Sequence, residues 1–210
     1  MKSNILVING HPDPQSYCRA LSDAYVKGAR KSGSSVELID LSHIQFNLNL
    51  QYGYRQRTEL EPDLVRAQEL IRWADHLVFV YPTWWGVMPA ILKGFIDRVF
   101  LPGFAMKDRE NSPLWDKLLK GRSAQIIVTM DTPRLYNRFI YRHAGHRVMK
   151  SNILKFCGIS PVRVTEVSPI KGSTEAFRLK WLNKMMEMGM KQGGRNIARD
   201  SQSVNSNQQV

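Results

Sequence analysis

Five short runs rich in Ile, Val and Leu punctuate the chain: NILVIN (4–9), VELIDL (36–41), HLVFVY (76–81), QIIVTM (125–130) and VRVTEV (162–167). Each has strand length, and the central ones lack polar alternation, the pattern of strands covered on both faces. Between them apolar residues recur at helical spacing. The predicted helices are 16–32, opening at Ser16; 62–74, with Pro62 in its first turn; 89–100, with Pro89 likewise; about 140–157, ending at Gly158; and about 174–190. Strict alternation predicts an α/β fold, a five-stranded parallel sheet between two helical layers with right-handed crossovers. Two doubly wound arrangements are available, the six-strand dinucleotide order and the five-strand order 2-1-3-4-5, and five strands favour the second. Its ligand sits beyond the C-terminal strand ends.

Two segments break this rhythm, about 42–61 and 102–120, too long and too aromatic or charged for simple turns; long loops in compact domains usually carry function. The chain reads as one domain over 1–192, followed from 193 by a polar stretch expected to be a disordered tail. No run approaches the roughly 20 apolar residues of a membrane span, and the opening run is too short for a secretory signal, so the cytoplasm is the expected location. Cys18 and Cys157 form no C-x-x-C pair, which excludes a zinc ribbon or disulfide scaffold and leaves two free thiols. A formal charge of +12 fits polyanionic partners in general and selects none of them.

Candidate chemistry gathers in three loops at one sheet edge. The first strand ends in NGHPDPQSY (9–17) and opens a helix, so amides and the helix's positive end face whatever lies above, with Ser16 as cap or anion ligand. This is neither G-x-G-x-x-G nor a Walker A sequence, which removes support for an NAD-type Rossmann domain or a P-loop nucleotidase. The third strand ends in YPTWWGVMP (81–89), where adjacent tryptophans point opposite ways: one is expected to pack inward and the other to face the crevice. The fourth ends in VTMDTP (128–133). A phosphate at the first loop and a planar ring between the others describe a flavin nucleotide, and no metal-ligand set is visible.

At these residues the chain resembles the flavodoxin-like NAD(P)H:quinone oxidoreductases, a family that includes mammalian quinone reductases, modulators of drug activity and ancillary subunits of potassium-efflux systems. YPTWWGVMPAILKGFIDRVFLPGFAM carries most of the match, reinforced by GHPDPQSY and ILKFCGI (153–159), together spanning about 4–190. The resemblance implies a flavodoxin-like fold and a non-covalent FMN or FAD. Its phosphate would lie near His11, Gln15, Ser16, Tyr17 and Cys18, and its ring along Pro82, Thr83, Trp84, Trp85 and Gly86, with Thr129, Met130, Asp131 and Thr132 closing the other side. It also implies a homodimer in which each site borrows residues from its neighbour. One departure stands out: mammalian members carry Thr-Thr-Gly-Gly after the fourth strand, and Asp131-Thr132-Pro133 does not reproduce that close backbone approach.

The implied reaction is ping-pong: NAD(P)H reduces the flavin at N5 and leaves, and a quinone or similar small acceptor takes its place. Tyr136 is the first candidate for a hydroxyl near the developing charge, with Tyr141 and His143 behind it, and Phe104 and Met106 are candidates for an apolar wall around the acceptor. Arg134, Arg138 and Arg142, spaced by four, are expected on one helical face, a solvated surface or an attraction for NADPH's extra phosphate or anionic lipid. Alternatives in other classes are a flavodoxin-like electron carrier and a regulatory ancillary subunit of a membrane transport system, which leaves peripheral membrane or transporter contact open. Nucleic acid is not an expected partner.

Overall fold

The structure is a computed structural model that describes residues 3–206, with side chains described as far as 193 in the last helix. Its central sheet contains β1 (Asn4–Asn9), β2 (Ser35–Asp40), β3 (His76–Pro82), β6 (Ser123–Thr129) and β7 (Val162–Val167), all parallel, in the order β2-β1-β3-β6-β7. Counted along the chain without the two short strands β4 (Met106–Asp108) and β5 (Trp115–Lys117), this is the order 2-1-3-4-5, so β1 lies beside β3 and β3 beside β6. The loops after those three strands are therefore neighbours in space.

Two cores flank the sheet. On one face α1 (Tyr17–Lys31) and α6 (Glu175–Ser206) cover Ile5, Val7, Val78, Val80 and Ile127. On the other, α2 (Pro62–Trp73), α3 (Ala90–Val99) and the segment before β7 cover Leu6, Ile8, Leu77, Phe79, Ile126 and Val128. Successive residues of the central strands β1, β3 and β6 thus feed opposite cores, which is why these three runs are mostly apolar rather than alternating. Helices α1 and α6 cross at glycines: a Cβ on Gly28 would lie 1.9 Å from the Met186 carbonyl oxygen, and one on Gly189 2.3 Å from that of Tyr25.

Three predicted features differ. The helix expected over 140–157 is broken: α4 (Arg134–Phe139) stops, Arg142 and His143 take positive φ of 49° and 52°, and α5 (Ala144–Arg147) restarts and runs into a π-helical stretch, Val148–Lys155. Arg142 therefore does not share a helical face with Arg134 and Arg138. The insertion at 102–120 contains an antiparallel hairpin, β4 (Met106–Asp108) with β5 (Trp115–Lys117), anchored where the Trp115 ring stacks on Phe156 at 4.2 Å and its Nε1 donates to the Phe156 carbonyl. The last helix, expected to end near 190, continues to Ser206, into the segment read as a polar tail; that segment contains no proline to stop it. Among the described residues no helix is long and apolar enough to cross a membrane.

Candidate flavin crevice

The three loops are tied to one another by backbone bonds. The Gly10 amide donates to the Val80 carbonyl (2.8 Å) and the Thr83 amide to that of Thr129 (2.8 Å), extending the ladder past the strand ends and bringing 10–17, 82–88 and 129–133 side by side at one sheet edge, the flanks of the candidate crevice.

In the first loop Asp13 organises the chain: its carboxylate accepts the Gln15 amide and its carbonyl the Ser16 amide. Ser16 is the N-cap of α1, its hydroxyl accepting the Arg19 amide at 3.2 Å. The amides of Tyr17 and Cys18 have no acceptor within the helix, and no acidic residue occupies its first turn, so a partial positive charge faces the loop. The Arg19 guanidinium is held by Asp23 and Asp40, so it is the amides that make this end attractive to an anion. His11 accepts the Asp13 amide at Nδ1 (3.0 Å), and burial pushes its pKa down against the pull of Asp13, leaving a neutral ring that carries its proton on Nε2. That ring meets Trp84 edge-on, centroids 5.4 Å apart.

Two predicted phosphate neighbours point elsewhere. The Cys18 thiol turns down to the Thr129 hydroxyl (3.3 Å) beneath the crevice; burial pushes its pKa up to about 12, which keeps it an inert thiol. Tyr17 donates to the Arg178 carbonyl (2.7 Å) and clasps α6.

The double tryptophan forms a tight turn. The Trp84 and Val87 amides and carbonyls bond reciprocally (2.8 and 3.1 Å), with Trp85 and Gly86 between them at φ 50° and 80°. Positive φ at both central positions is the type I′ geometry, which selects Asn-Gly and penalises a bulky aromatic at the first position. The expectation that one indole packs inward is not met, because the reversal throws both outward: Trp84 is 44% exposed and Trp85 fully so. Pro82 is buried and Thr83 half-buried at the turn's base. Among the described residues the amides of Trp85, Gly86, Asp131 and Thr132 have no acceptor, which leaves four donors at the rim of the crevice. In the third loop Met130 is buried, its amide bonded to Val167, while Asp131 accepts the Lys171 amide (2.7 Å) and Thr132 the Ser168 hydroxyl.

Beyond that loop Tyr136 is half exposed, edge-on to Tyr141 at 5.1 Å. His143 is engaged otherwise: its Nδ1 lies 3.0 Å from Glu166 Oε1, the oxygen that also meets His146 Nε2 at 2.7 Å and accepts from Asn137 Nδ2 at 2.8 Å. Burial lowers the pKa of His146 although Glu166 pulls it up. No local motif links Glu166 to a histidine twenty residues earlier in the chain, so the cluster escapes a linear reading.

Phe104 and Met106 do not border the crevice of their own chain. Helix α3 starts beside the Trp turn and carries the chain back to the opposite sheet edge, where Phe104 is buried edge-on to Phe100 under the Arg72 guanidinium and Met106 opens β4.

Comparison with known proteins agrees with this fold. A protein of Haemophilus influenzae called an uncharacterized NAD(P)H oxidoreductase is 30% identical over 164 residues, covering 76% of this chain and 80% of that protein. The human ribosyldihydronicotinamide dehydrogenase [quinone] is 29% identical over 161 residues, covering 64% and 66%. The chain spans 44% to 80% of the lengths of such curated relatives. The crystal structure of Smu.1420 from Streptococcus mutans UA159 superposes with a TM-score of 0.73 at 33% identity, over 89% of this chain and 98% of that one. The family model Flavodoxin_2, described as flavodoxin-like fold, matches residues 3–187, and the chain belongs to that family.

Proposed function

We propose that the crevice holds a flavin, FMN before FAD, and that the protein uses it to pass reducing equivalents from NAD(P)H to a quinone or similar small acceptor. The observation that carries this is Trp85: a fully exposed indole held at φ 50° in a turn whose two central amides, those of Trp85 and Gly86, are unbonded. Among the described residues no packing of the indole repays that conformation, and strained residues of this kind cluster where a ligand uses them. When bound, the flavin supplies two-electron chemistry that protein side chains lack.

The chain's own residues have separable tasks. The amides of Tyr17 and Cys18, with Ser16, receive the phosphate. The His11 ring and Trp84 wall the crevice, and Trp85 offers a flat apolar face. The amides of Asp131 and Thr132 stand where donors to a pyrimidine edge are needed, and they need no glycine pair to be unbonded. Tyr136 is the hydroxyl placed to hold or donate a proton beside that loop; His143, bound to Glu166, supports Asn137 and His146 instead. Phe104 and Met106 reach an active site only as part of a homodimer, in which exposed Leu135, Phe139 and Ile140 around the crevice also find cover. A cytoplasmic location, with no need of a membrane, fits this chemistry.

The test is steady-state kinetics with FMN-loaded protein and a soluble quinone varied against NADH or NADPH. Parallel double-reciprocal lines are expected, because one crevice serves donor and acceptor in turn. Intersecting lines, or no turnover with either cosubstrate, would refute the reading.

A further inference from the structure

We propose that a second cleft, between β7, α5 and α6, binds a phosphate dianion, and that in the working protein this group is the 2′-phosphate of NADPH. The cosubstrate assignment rests on the oxidoreductase reading above; the phosphate site does not.

The cleft measures about 590 Å³ and is lined by Arg134, Arg142, Arg147, Lys150 and Lys184. Arg134 is partly spent, donating to the Glu166 carbonyl and lying over the Trp181 ring at 5.2 Å. Among the described residues Arg142, Arg147, Lys150 and Lys184 make no ion pair. Glu166 is the one acidic side chain in the lining, and it turns its Oε1 to His143, His146 and Asn137. A basic helix face on a convex surface is ordinarily just solvated. Here the cations converge on a concavity, where the low-dielectric walls concentrate their field and their mutual repulsion is relieved by an anion.

A metal is the competing occupant. His143, His146 and Glu166 offer ligand atoms within 4.8 Å of one another. The carboxylate oxygen, however, is already surrounded by three nitrogens, and the cations about it repel a divalent ion. The cleft's size suits a nucleotide-sized group rather than a polymer, and the paired donors of a guanidinium match phosphate oxygens.

The link to NADPH comes from α5. The helix that carries Arg147 and follows His143 also carries Gly145, where a Cβ would lie 2.0 Å from the Gly86 carbonyl oxygen. One wall of the cleft and one wall of the flavin crevice are therefore successive residues of a single helical turn, a rise of about 5.4 Å. A dinucleotide whose nicotinamide lies in the crevice is long enough to cross that turn and place its adenosine end in the cleft, where NADH would leave the cations without an anion.

The experiment is calorimetric titration of FMN-loaded protein with 2′,5′-ADP and with 5′-AMP, repeated on an Arg147→Gln, Lys150→Gln double variant checked for an unchanged thermal melt. The wild type is expected to bind 2′,5′-ADP at least about tenfold more tightly, about 1.4 kcal/mol. The variant should lose that difference, with a parallel fall in the NADPH-to-NADH ratio of kcat/KM. Equal affinities in the wild type would overturn the site. Inorganic phosphate or phosphatidylserine vesicles that displace 2′,5′-ADP, with the cosubstrate ratio unmoved by the variant, would overturn the NADPH assignment in favour of a free anion or a lipid headgroup. Normal 2′,5′-ADP binding by a protein that oxidises neither cosubstrate would instead refute the oxidoreductase reading.

Discussion

Replacing Trp85 with Asn stabilises the fold by about 1 kcal/mol while lowering its affinity for FMN about tenfold or more. Asn-Gly is the preferred pair for a type I′ turn, because Asn tolerates the left-handed region that a bulky aromatic resists. Trp85 is fully exposed, so its removal costs the folded chain no buried surface and the backbone gain stands alone. What is lost is a stacking face, worth about 1 kcal/mol or more against a planar ring. Urea denaturation and FMN titration of the same preparation read the two effects separately. A variant that gains stability and keeps its flavin affinity would remove Trp85 from the site.

Arg98→Ala lowers stability by about 3 kcal/mol, and Arg98→Lys recovers only part of it. The Arg98 side chain is 1% exposed, at the end of α3. Its Nη1 donates to the Asn47 carbonyl (2.6 Å), its Nη2 to that of Glu59 (2.9 Å), and the two together clasp the Glu61 carboxylate. The 42–61 insertion thereby becomes a strap across α3, seated by Phe46 edge-on to Phe95 and by Leu48 over Gly94, where an added Cβ would meet the Leu48 side chain at 2.9 Å. Removing the guanidinium strands two carbonyls and one carboxylate together, whereas a single ammonium cannot span both carbonyls and the carboxylate. Chemical denaturation measures it; a loss under about 1 kcal/mol would mean the strap is held by its apolar contacts alone.

The sheet was legible because its three central strands, β1, β3 and β6, are buried on both faces, which produces nearly unbroken apolar runs, and because Pro62 and Pro89 mark helix starts; the edge strands β2 and β7 keep polar residues such as Glu37 and Arg163 on their open sides. The loop cluster followed from strand order: once β1, β3 and β6 are neighbours, 10–17, 82–88 and 129–133 must meet. Orientation within those loops was less legible. That Trp85 points outward depends on the sign of φ in a two-residue turn, and that Cys18 points at Thr129 depends on the phase of α1, neither of which hydrophobic pattern fixes. Phe104 and Met106 were misplaced for their own chain because adjacency in sequence to the Trp loop hides a ten-residue helix that carries them to the other edge. The Glu166 cluster joins a strand to a broken helix, and only the tertiary structure brings these together.

The most direct test of the central claim is the visible spectrum of the purified protein after incubation with FMN, gel filtration and anaerobic addition of NADPH or NADH. The account predicts a stoichiometric yellow chromophore that comes through the column with the protein and bleaches on adding reductant. Protein that emerges colourless, with its tryptophan fluorescence unchanged by FMN, would contradict it.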